Sequence, residues 1–194
     1  GINPNVLNML NTRYVIVPTD QGPQVQRNPG APGCVWFVNE IRWVNSPDEE
    51  IVALNDFNPV RTAVIDKAWQ ADLPSWQQLA SSDSAATIRL TDYPAPDRLL
   101  YESQSASPRL AVFSEVFYKT WHAYIDGREV KPIRVDYILR GLEIPAGTHK
   151  IEFRCVDDVY LRSARISLIA SIVVGVVFLA LLGMAVRNAV VRKA

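Results

Sequence analysis

The chain has 194 residues, of which 48% are hydrophobic, and its 20 lysines and arginines balance its 20 aspartates and glutamates. The zero formal net charge and the lack of a basic stripe argue against nucleic-acid binding. A chain of this length has room for one sizeable core or two small ones.

The N-terminal region, residues 1–66, is predicted to form a small α+β unit. Residues 3–11 predict a short helix with an asparagine cap. Residues 12–18 predict a strand that ends at a proline, and the glycines and prolines of residues 19–33 predict a loop.

The rest of this unit alternates strand, helix and strand. Residues 34–44 predict one long strand. Residues 48–56 predict a short helix, because acidic residues in a first turn favour the helix dipole. Residues 61–66 predict a further strand. The sequence leaves open whether residues 1–66 and 87–160 share one core.

After a connecting segment, residues 67–86, the pattern changes to short strands. Within that segment, residues 73–76 predict a helical turn and residues 81–86 an exposed loop. The short strands are separated by turn residues, so residues 87–160 predict an antiparallel β-sandwich. The strand candidates are residues 87–93, 97–104, 109–118, 121–130, 134–144 and 149–156. Asp126-Gly127 predicts a type I′ hairpin turn.

The C-terminal region, residues 161–194, predicts a transmembrane helix and a short basic tail. The 21 residues from Ile166 to Val186 carry no charge. At ~1.5 Å per residue they span about 31 Å, close to the hydrocarbon thickness of a bilayer. A buried core helix would show a polar stripe, which this run lacks. We therefore expect the lipid bilayer as a partner, with Gly175 and Gly183 allowing close approach of another helix.

Motifs for catalysis or metal binding are missing from the sequence. No phosphate-binding glycine loop and no nucleophile motif is present. His122 and His149 have no further ligands at metal-binding spacing. We therefore expect no catalytic residue, no metal and no cofactor in this chain. Cys34 and Cys155 are expected to be free thiols, and one disulfide between them in an oxidising compartment stays open as an alternative.

Aromatic residues crowd into the stretch from Phe113 to Tyr137. Two interpretations stay open: these rings fill the core of the sandwich, or some of them contact a sugar beside polar side chains. Arg134, Asp136 and Arg140 alternate along their predicted strand and would share one face. The candidate glycan contacts are Tyr118, Trp121, Tyr124, Arg134, Asp136, Tyr137 and Arg140.

The stretch from Phe113 to Phe153 resembles the C-terminal extracytoplasmic region of the YfhO family of bacterial multi-pass membrane proteins. Three phrases in order carry the resemblance: FSEVFYKTWHAYIDG, RVDYILR and PAGTHKIEF. Thr120 stands where the family usually has glycine, and Asp136 stands where it usually has asparagine. The phrases VLNMLNTRYVI and VWFV in the N-terminal part are similar to the family as well.

The resemblance implies a membrane protein similar to GT-C glycosyltransferases, which decorate cell-surface polymers from polyprenyl-phosphate sugars. Their catalytic carboxylate lies near N-terminal membrane helices, so no catalytic residue carries over to this chain. We expect an accessory domain whose partners are the upstream transmembrane helices of its parent and a glycan or polyprenyl-linked sugar. Whether the parent is an enzyme stays open. The alternative is a structural or carbohydrate-binding β-sandwich module of a non-enzymatic membrane protein.

The sequence and the resemblance together predict a location in the bacterial cytoplasmic (inner) membrane. The chain opens at Gly1 without an initiator methionine or a signal sequence, so we expect a fragment of a longer protein. A large folded domain is translocated largely regardless of its charge, whereas the short tail carries Arg187, Arg192 and Lys193. We therefore expect the globular part outside the cytoplasm and the tail inside.

Overall fold

The computed structural model of the chain describes residues 3–75 and 85–191. It divides the chain into a β-rich unit, Gly1–Cys155, and a helical unit, Val156–Ala194. Most of the loop predicted at 81–86 lies outside the described residues, and so does the end of the helical turn predicted at 73–76.

The β-rich unit is built from short helices and strands. The first part of the chain contains α1 (Pro4–Met9), β1 (Tyr14–Val17), β2 (Gln24–Arg27), β3 (Val35–Val38), β4 (Glu40–Val44), α2 (Pro47–Ala53), β5 (Thr62–Asp66) and a 3₁₀ helix (Lys67–Asp72). The second part contains β6 (Thr87–Ala95), β7 (Arg98–Ser105), β8 (Arg109–Val116), β9 (Trp121–Ile125), β10 (Arg128–Val130), β11 (Ile133–Val135), β12 (Leu139–Ile144) and β13 (Gly147–Cys155).

Two antiparallel sheets form a sandwich, which confirms the predicted mainly β fold. One sheet has the strand order β10-β9-β13-β7-β6, and the other has the order β11-β12-β8-β3. Their facing sides share a core in which Phe113 and Leu142 of the four-stranded sheet meet Tyr101, Ile151 and Phe153 of the five-stranded sheet. Three of these rings pack edge to face, with Phe113 and Phe153 centroids 4.8 Å apart.

The four-stranded sheet is buried on its other face as well, by the parallel pair β4–β5 and by α1 and α2. In β8, Ala111 and Phe113 point into the sandwich core, whereas Leu110 and Val112 join a second core with Val64 and other apolar residues of the first part. This alternation follows from the period of two in a strand. Strand β3 belongs to the first part of the chain and pairs with β8. The two parts of the β-rich unit are therefore built into one body.

The prediction of one strand over residues 34–44 is wrong, because the chain changes sheets at Asn39. Strand β3 pairs with β8, whereas β4 pairs in parallel with β5. The backbone N–H groups of Asn39 and Glu40 both donate to the Arg61 carbonyl, at 2.8 and 2.9 Å. This tertiary contact redirects the backbone where the apolar pattern shows no break. The loop predicted at 19–33 likewise contains β2, which pairs with β1.

Tight turns join several strands of the sandwich. Asp126 and Gly127 have positive φ angles of 50° and 80°, which confirms the hairpin turn predicted between β9 and β10. A second turn, at Asp136 and Tyr137 with φ angles of 49° and 69°, separates β11 from β12. The prediction of one strand over residues 134–144 is therefore wrong.

The helical unit is α3 (Asp158–Val191), a helix of 34 residues. Among the described residues, one segment, Val159–Met184, is long and apolar enough to cross a membrane, and its apolar window is not buried in the protein. It contains most of the predicted span of 166–186. The length and composition of α3 support a membrane anchor.

Candidate functional site

A groove lined by four aromatic side chains is the candidate site of the β-rich unit. Its volume is about 660 Å³, within the range of ordinary ligand pockets. We call it the aromatic groove. Its lining residues are Trp69, Phe117, Tyr118, Lys119, Trp121, His122, Glu129, Val130, Lys131 and Pro132.

The connection between β8 and β9 supplies three of the rings that line the groove, those of Phe117, Tyr118 and Trp121. The Phe117 N–H donates to the Ile138 carbonyl at 2.7 Å, which fixes the chain as it leaves β8. The Trp121 N–H then donates to the Tyr118 carbonyl at 3.0 Å, closing a turn of four residues. Tyr118 is 56% exposed, so its ring is available to a ligand.

The opposite wall of the groove comes from a distant part of the chain. Trp69 lies on the 3₁₀ helix, and its ring meets the Phe117 ring edge to face, with centroids 5.3 Å apart. Lys131 lies over the Trp69 ring at 5.7 Å and donates to Asp72 Oδ2 at 2.8 Å. These contacts tie the 3₁₀ helix to the segment between β10 and β11.

The rim of the groove is polar. His122 Nδ1 lies 2.8 Å from Glu129 Oε1, and Lys119 and Lys131 add ammonium groups. Apolar rings with a few polar groups suit a ligand that has both apolar faces and hydroxyl groups. Among the described lining residues Glu129 supplies the one carboxyl.

Of the predicted glycan contacts, Tyr118 and Trp121 line the groove and the others lie elsewhere. Tyr124 is on β9, where the Arg154 guanidinium lies 4.6 Å from the centre of its ring. Arg154 also pairs with Glu152, at 2.7 Å between Nε and Oε1. Tyr124 is therefore part of a polar cluster of the five-stranded sheet.

Arg134, Asp136 and Tyr137 surround Glu50, a carboxylate of α2 that is fully buried. Glu50 accepts hydrogen bonds from Arg134 Nη2 at 2.7 Å and from the Tyr137 N–H at 2.8 Å. Asp136 Oδ1 accepts from the Val64 N–H at 2.8 Å. Burial raises the pKa of Glu50, and it raises the pKa of Asp136 to about 8. These groups hold the β11–β12 turn against α2 and β5.

Arg140 is on β12, between the two sheets, and is 1% exposed. The predicted alternation of Arg134, Asp136 and Arg140 along one strand is wrong, because the turn at Asp136-Tyr137 interrupts it. Arg140 lies directly behind Trp121, with 4.3 Å between the guanidinium carbon and the centre of the ring.

The groove residues that were not among the predicted glycan contacts are Trp69, Phe117, Lys119, His122, Glu129, Val130, Lys131 and Pro132. Trp69 lies in the segment predicted to be a connection, where no periodic pattern marks its neighbours. The one feature of the sequence that could have indicated Trp69 as a site residue is its large aromatic side chain in an otherwise irregular segment.

Other chemistry is sparse in the described part of the chain. There, no group of three or more His, Cys, Asp or Glu side chains is placed to hold a metal ion. Cys34 and Cys155 are both free and half-buried, and Cys155 Sγ lies 3.3 Å from Thr120 Oγ1.

Comparisons of the chain with models of protein families, with curated proteins and with solved structures found no match. The function is therefore inferred from the groove, from the membrane helix and from the resemblance in the sequence.

Proposed function

We propose that this chain is a membrane-anchored β-sandwich that binds glycans in the aromatic groove. The observation that carries the proposal is that four aromatic side chains line the same groove: Tyr118 and Trp121, together with Trp69 and Phe117. Sugar rings have apolar C–H faces that pack on aromatic rings and hydroxyl groups that bond to polar side chains. The aromatic walls and the polar rim match these two requirements.

We infer further that the parent protein is a GT-C-like glycosyltransferase of the bacterial cytoplasmic membrane, which acts on cell-envelope glycans from a polyprenyl-phosphate sugar. The YfhO-like phrases between Phe113 and Phe153 support this inference, and the first phrase contains both Tyr118 and Trp121. In this arrangement the β-rich unit is extracytoplasmic and presents a glycan to a catalytic centre in the upstream part. Helix α3 then packs against upstream transmembrane helices, and the tail is cytoplasmic.

The sequence of the parent protein upstream of Gly1 would distinguish a membrane glycosyltransferase from a non-enzymatic membrane protein. Many membrane helices with an acidic residue in the first external loop would support the glycosyltransferase. A single upstream membrane anchor would contradict it and leave a carbohydrate-binding module.

The test of glycan binding is a titration of the full chain in detergent micelles. Oligosaccharides of bacterial envelope type are added while tryptophan fluorescence is followed, because Trp69 and Trp121 line the groove. We expect a saturable change. Tyr118→Ala should weaken binding about fivefold, which corresponds to about 1 kcal/mol for one ring contact.

Tyr14→Ala is the matched control, because Tyr14 is 64% exposed on β1 and does not line the groove. It should bind as the wild type does. If no oligosaccharide changes the fluorescence, or if Tyr14→Ala weakens binding as much as Tyr118→Ala, glycan binding in the groove is refuted.

A further inference from the structure

One ring of the aromatic groove, that of Trp121, contacts a buried cation that also lies over a second ring. The guanidinium carbon of Arg140 lies 4.3 Å from the centre of the Trp121 ring and 4.7 Å from the centre of the Phe153 ring. Phe153 is fully buried in the core of the sandwich, whereas Trp121 is half-buried and lines the groove. Arg140 therefore connects the core to the ring that a ligand would meet.

Arg140 is held by one ion pair. Its Nη2 pairs with Glu115 Oε2, whereas its Nε and Nη1 are buried without a hydrogen-bond partner among the described residues. Glu115 Oε1 accepts a hydrogen bond from the Tyr101 hydroxyl at 3.3 Å, and Tyr101 packs edge to face on Phe113, with centroids 4.9 Å apart. A buried charge with an ion-pair partner and two rings packed on it has little freedom to move.

The charge on Arg140 persists at neutral pH. Burial lowers the pKa of Arg140 to about 10, which still leaves the guanidinium protonated at pH 7. Burial also raises the pKa of Tyr101, so the hydroxyl stays neutral and remains a donor. A desolvated cation interacts more strongly with a tryptophan ring than a cation at an exposed site does.

The Trp121 ring is thus in contact with a buried, ion-paired cation. Trp121 begins β9, and its backbone is paired with Cys155 of β13. The pairing fixes the backbone of Trp121, and the contact with Arg140 restricts the rotation of its side chain. A ring already held in its binding plane loses less side-chain entropy when a ligand packs on it.

We propose that Arg140 is a positioning residue for glycan binding, which touches no ligand and holds the Trp121 ring in the plane that the ligand packs on. This inference rests on the proposed function of the aromatic groove. It assigns the buried pair Arg140–Glu115 a role beyond filling the core.

The test uses the double variant Arg140→Met/Glu115→Gln in the full chain in micelles. Methionine has a similar length and keeps the space filled, and glutamine avoids an unpaired carboxylate. The chain is labelled with 5-fluorotryptophan, and the ¹⁹F signal of Trp121 is identified by its loss in Trp121→Phe. We expect the double variant to shift or broaden that signal and to weaken glycan binding about tenfold or more, and Arg140→Lys to weaken it less.

The matched control is Arg134→Met/Glu50→Gln. Arg134 is the cross-strand neighbour of Arg140 and also pairs with a carboxylate, at 2.7 Å from Glu50, but it has no contact with Trp121 among those described. Its removal should leave the Trp121 signal and the glycan affinity unchanged.

The outcomes separate the two proposals. An Arg140→Met/Glu115→Gln chain that binds glycan as tightly as the wild type, or keeps the wild-type Trp121 signal, overturns the positioning role. Equal losses in both double variants overturn it too, since they indicate general destabilisation. If the wild type binds no glycan, the proposed function fails and the role in binding fails with it, whereas the ¹⁹F signal still reports whether Arg140 holds the ring.

Should the double variant not fold, Arg140→Lys decides, because a wild-type affinity and signal in that variant overturn the positioning role.

Discussion

Gly141 lies on β12 opposite Ile133 of β11, at a point where these strands approach closely. A Cβ atom at Gly141 would lie 2.5 Å from Val135 Cγ1 and 3.2 Å from Ile133 Cγ1. Val135 and Ile133 are themselves buried in the second core. A methyl group therefore has no free space to enter, and the neighbours cannot move without disturbing the layer between the two cores.

We predict that Gly141→Ala lowers the free energy of unfolding by about 1–3 kcal/mol, the usual cost of overpacking a core. Thermal unfolding followed by circular dichroism at a β-sheet wavelength measures it. Gly175→Ala is the control, because a Cβ there meets nothing within 4 Å. A Gly141→Ala chain with the same unfolding temperature as the wild type would contradict the close packing of β11 on β12.

Asp126 and His149 tie the β9–β10 turn to β13. His149 Nδ1 lies 2.7 Å from Asp126 Oδ2, and Asp126 Oδ1 accepts from the Lys150 N–H at 2.9 Å. The hydrogen bond with His149 lowers the pKa of Asp126, and the same bond raises the pKa of His149 above 6.5. Each group therefore stabilises the charged form of the other.

The sign of each pKa shift fixes the pH window of this contact. The contribution of His149 is fully present below its unfolded pKa of about 6.5 and is lost as pH rises through the raised folded pKa. The contribution of Asp126 is present above about pH 3.9 and is lost as pH falls through its lowered folded pKa. We predict that His149→Gln destabilises the chain by about 0.5 kcal/mol at pH 6 and by less at pH 8.5.

Urea midpoints of the wild type and His149→Gln at the two pH values measure this difference. In an Asp126→Asn background, the effect of His149→Gln should change less between pH 6 and pH 8.5, because the Ala146 carbonyl, 3.1 Å from His149 Nε2, is then the remaining described partner that raises the pKa of His149. An undiminished pH-dependent difference in that background would contradict the role of Asp126.

Among the elements, two hairpin turns show which parts of the fold the sequence can predict. Asp126-Gly127 is predictable, because glycine adopts positive φ without strain and Asp-Gly is a strong local signal. The turn at Asp136-Tyr137 is not predictable from the sequence, because a tyrosine at positive φ is unfavourable by itself. That turn is held by tertiary bonds to Glu50 and Val64, from elements far away in the sequence.

The same distinction applies to the aromatic groove. Tyr118 and Trp121 were predictable as candidate contacts, because they lie in one local aromatic stretch. Trp69 was not, since only the folded chain brings the 3₁₀ helix beside Phe117. Arg140 was predicted to contact the ligand itself, but the burial of its guanidinium between the sheets depends on tertiary packing.

Strands β1 and β2 form a hairpin, and among the described strands they pair only with each other. Ile16 and Val25 lie opposite each other and are 70% and 68% exposed. An isolated pair of strands without a covered face is marginally stable in water. The hairpin should therefore open far more often than the sandwich.

We predict that backbone amides of Val15 and Gln26, which lie opposite each other, exchange with deuterium orders of magnitude faster than those of Val112 and Leu142. Hydrogen exchange followed by mass spectrometry on peptides from the full chain measures this, with peptides of β8 and β12 as the internal reference. Equal protection of the two sets would indicate that the hairpin has a partner that stabilises it.

For the whole molecule, the proposed orientation in the membrane can be tested by thiol labelling. Cys34 and Cys155 are first replaced by serine, and a new cysteine is placed at Gln21, which is exposed in the β-rich unit, or at Asn188, which lies beyond the membrane segment. In intact cells that make the parent protein, a membrane-impermeant reagent should label Gln21→Cys and should label Asn188→Cys only after permeabilisation. The reverse pattern would place the β-rich unit in the cytoplasm.

The position of β13 bears on the order in which this chain folds during synthesis. It is the last strand, yet it lies in the middle of its sheet, between β9 and β7, and α3 begins at Asp158, shortly after it ends. The five-stranded sheet cannot close until nearly the whole β-rich unit has left the ribosome, and contacts between such distant segments form slowly. In the proposed orientation, the unit would therefore cross the membrane unfolded and complete its sandwich at the time when its anchoring helix enters the bilayer.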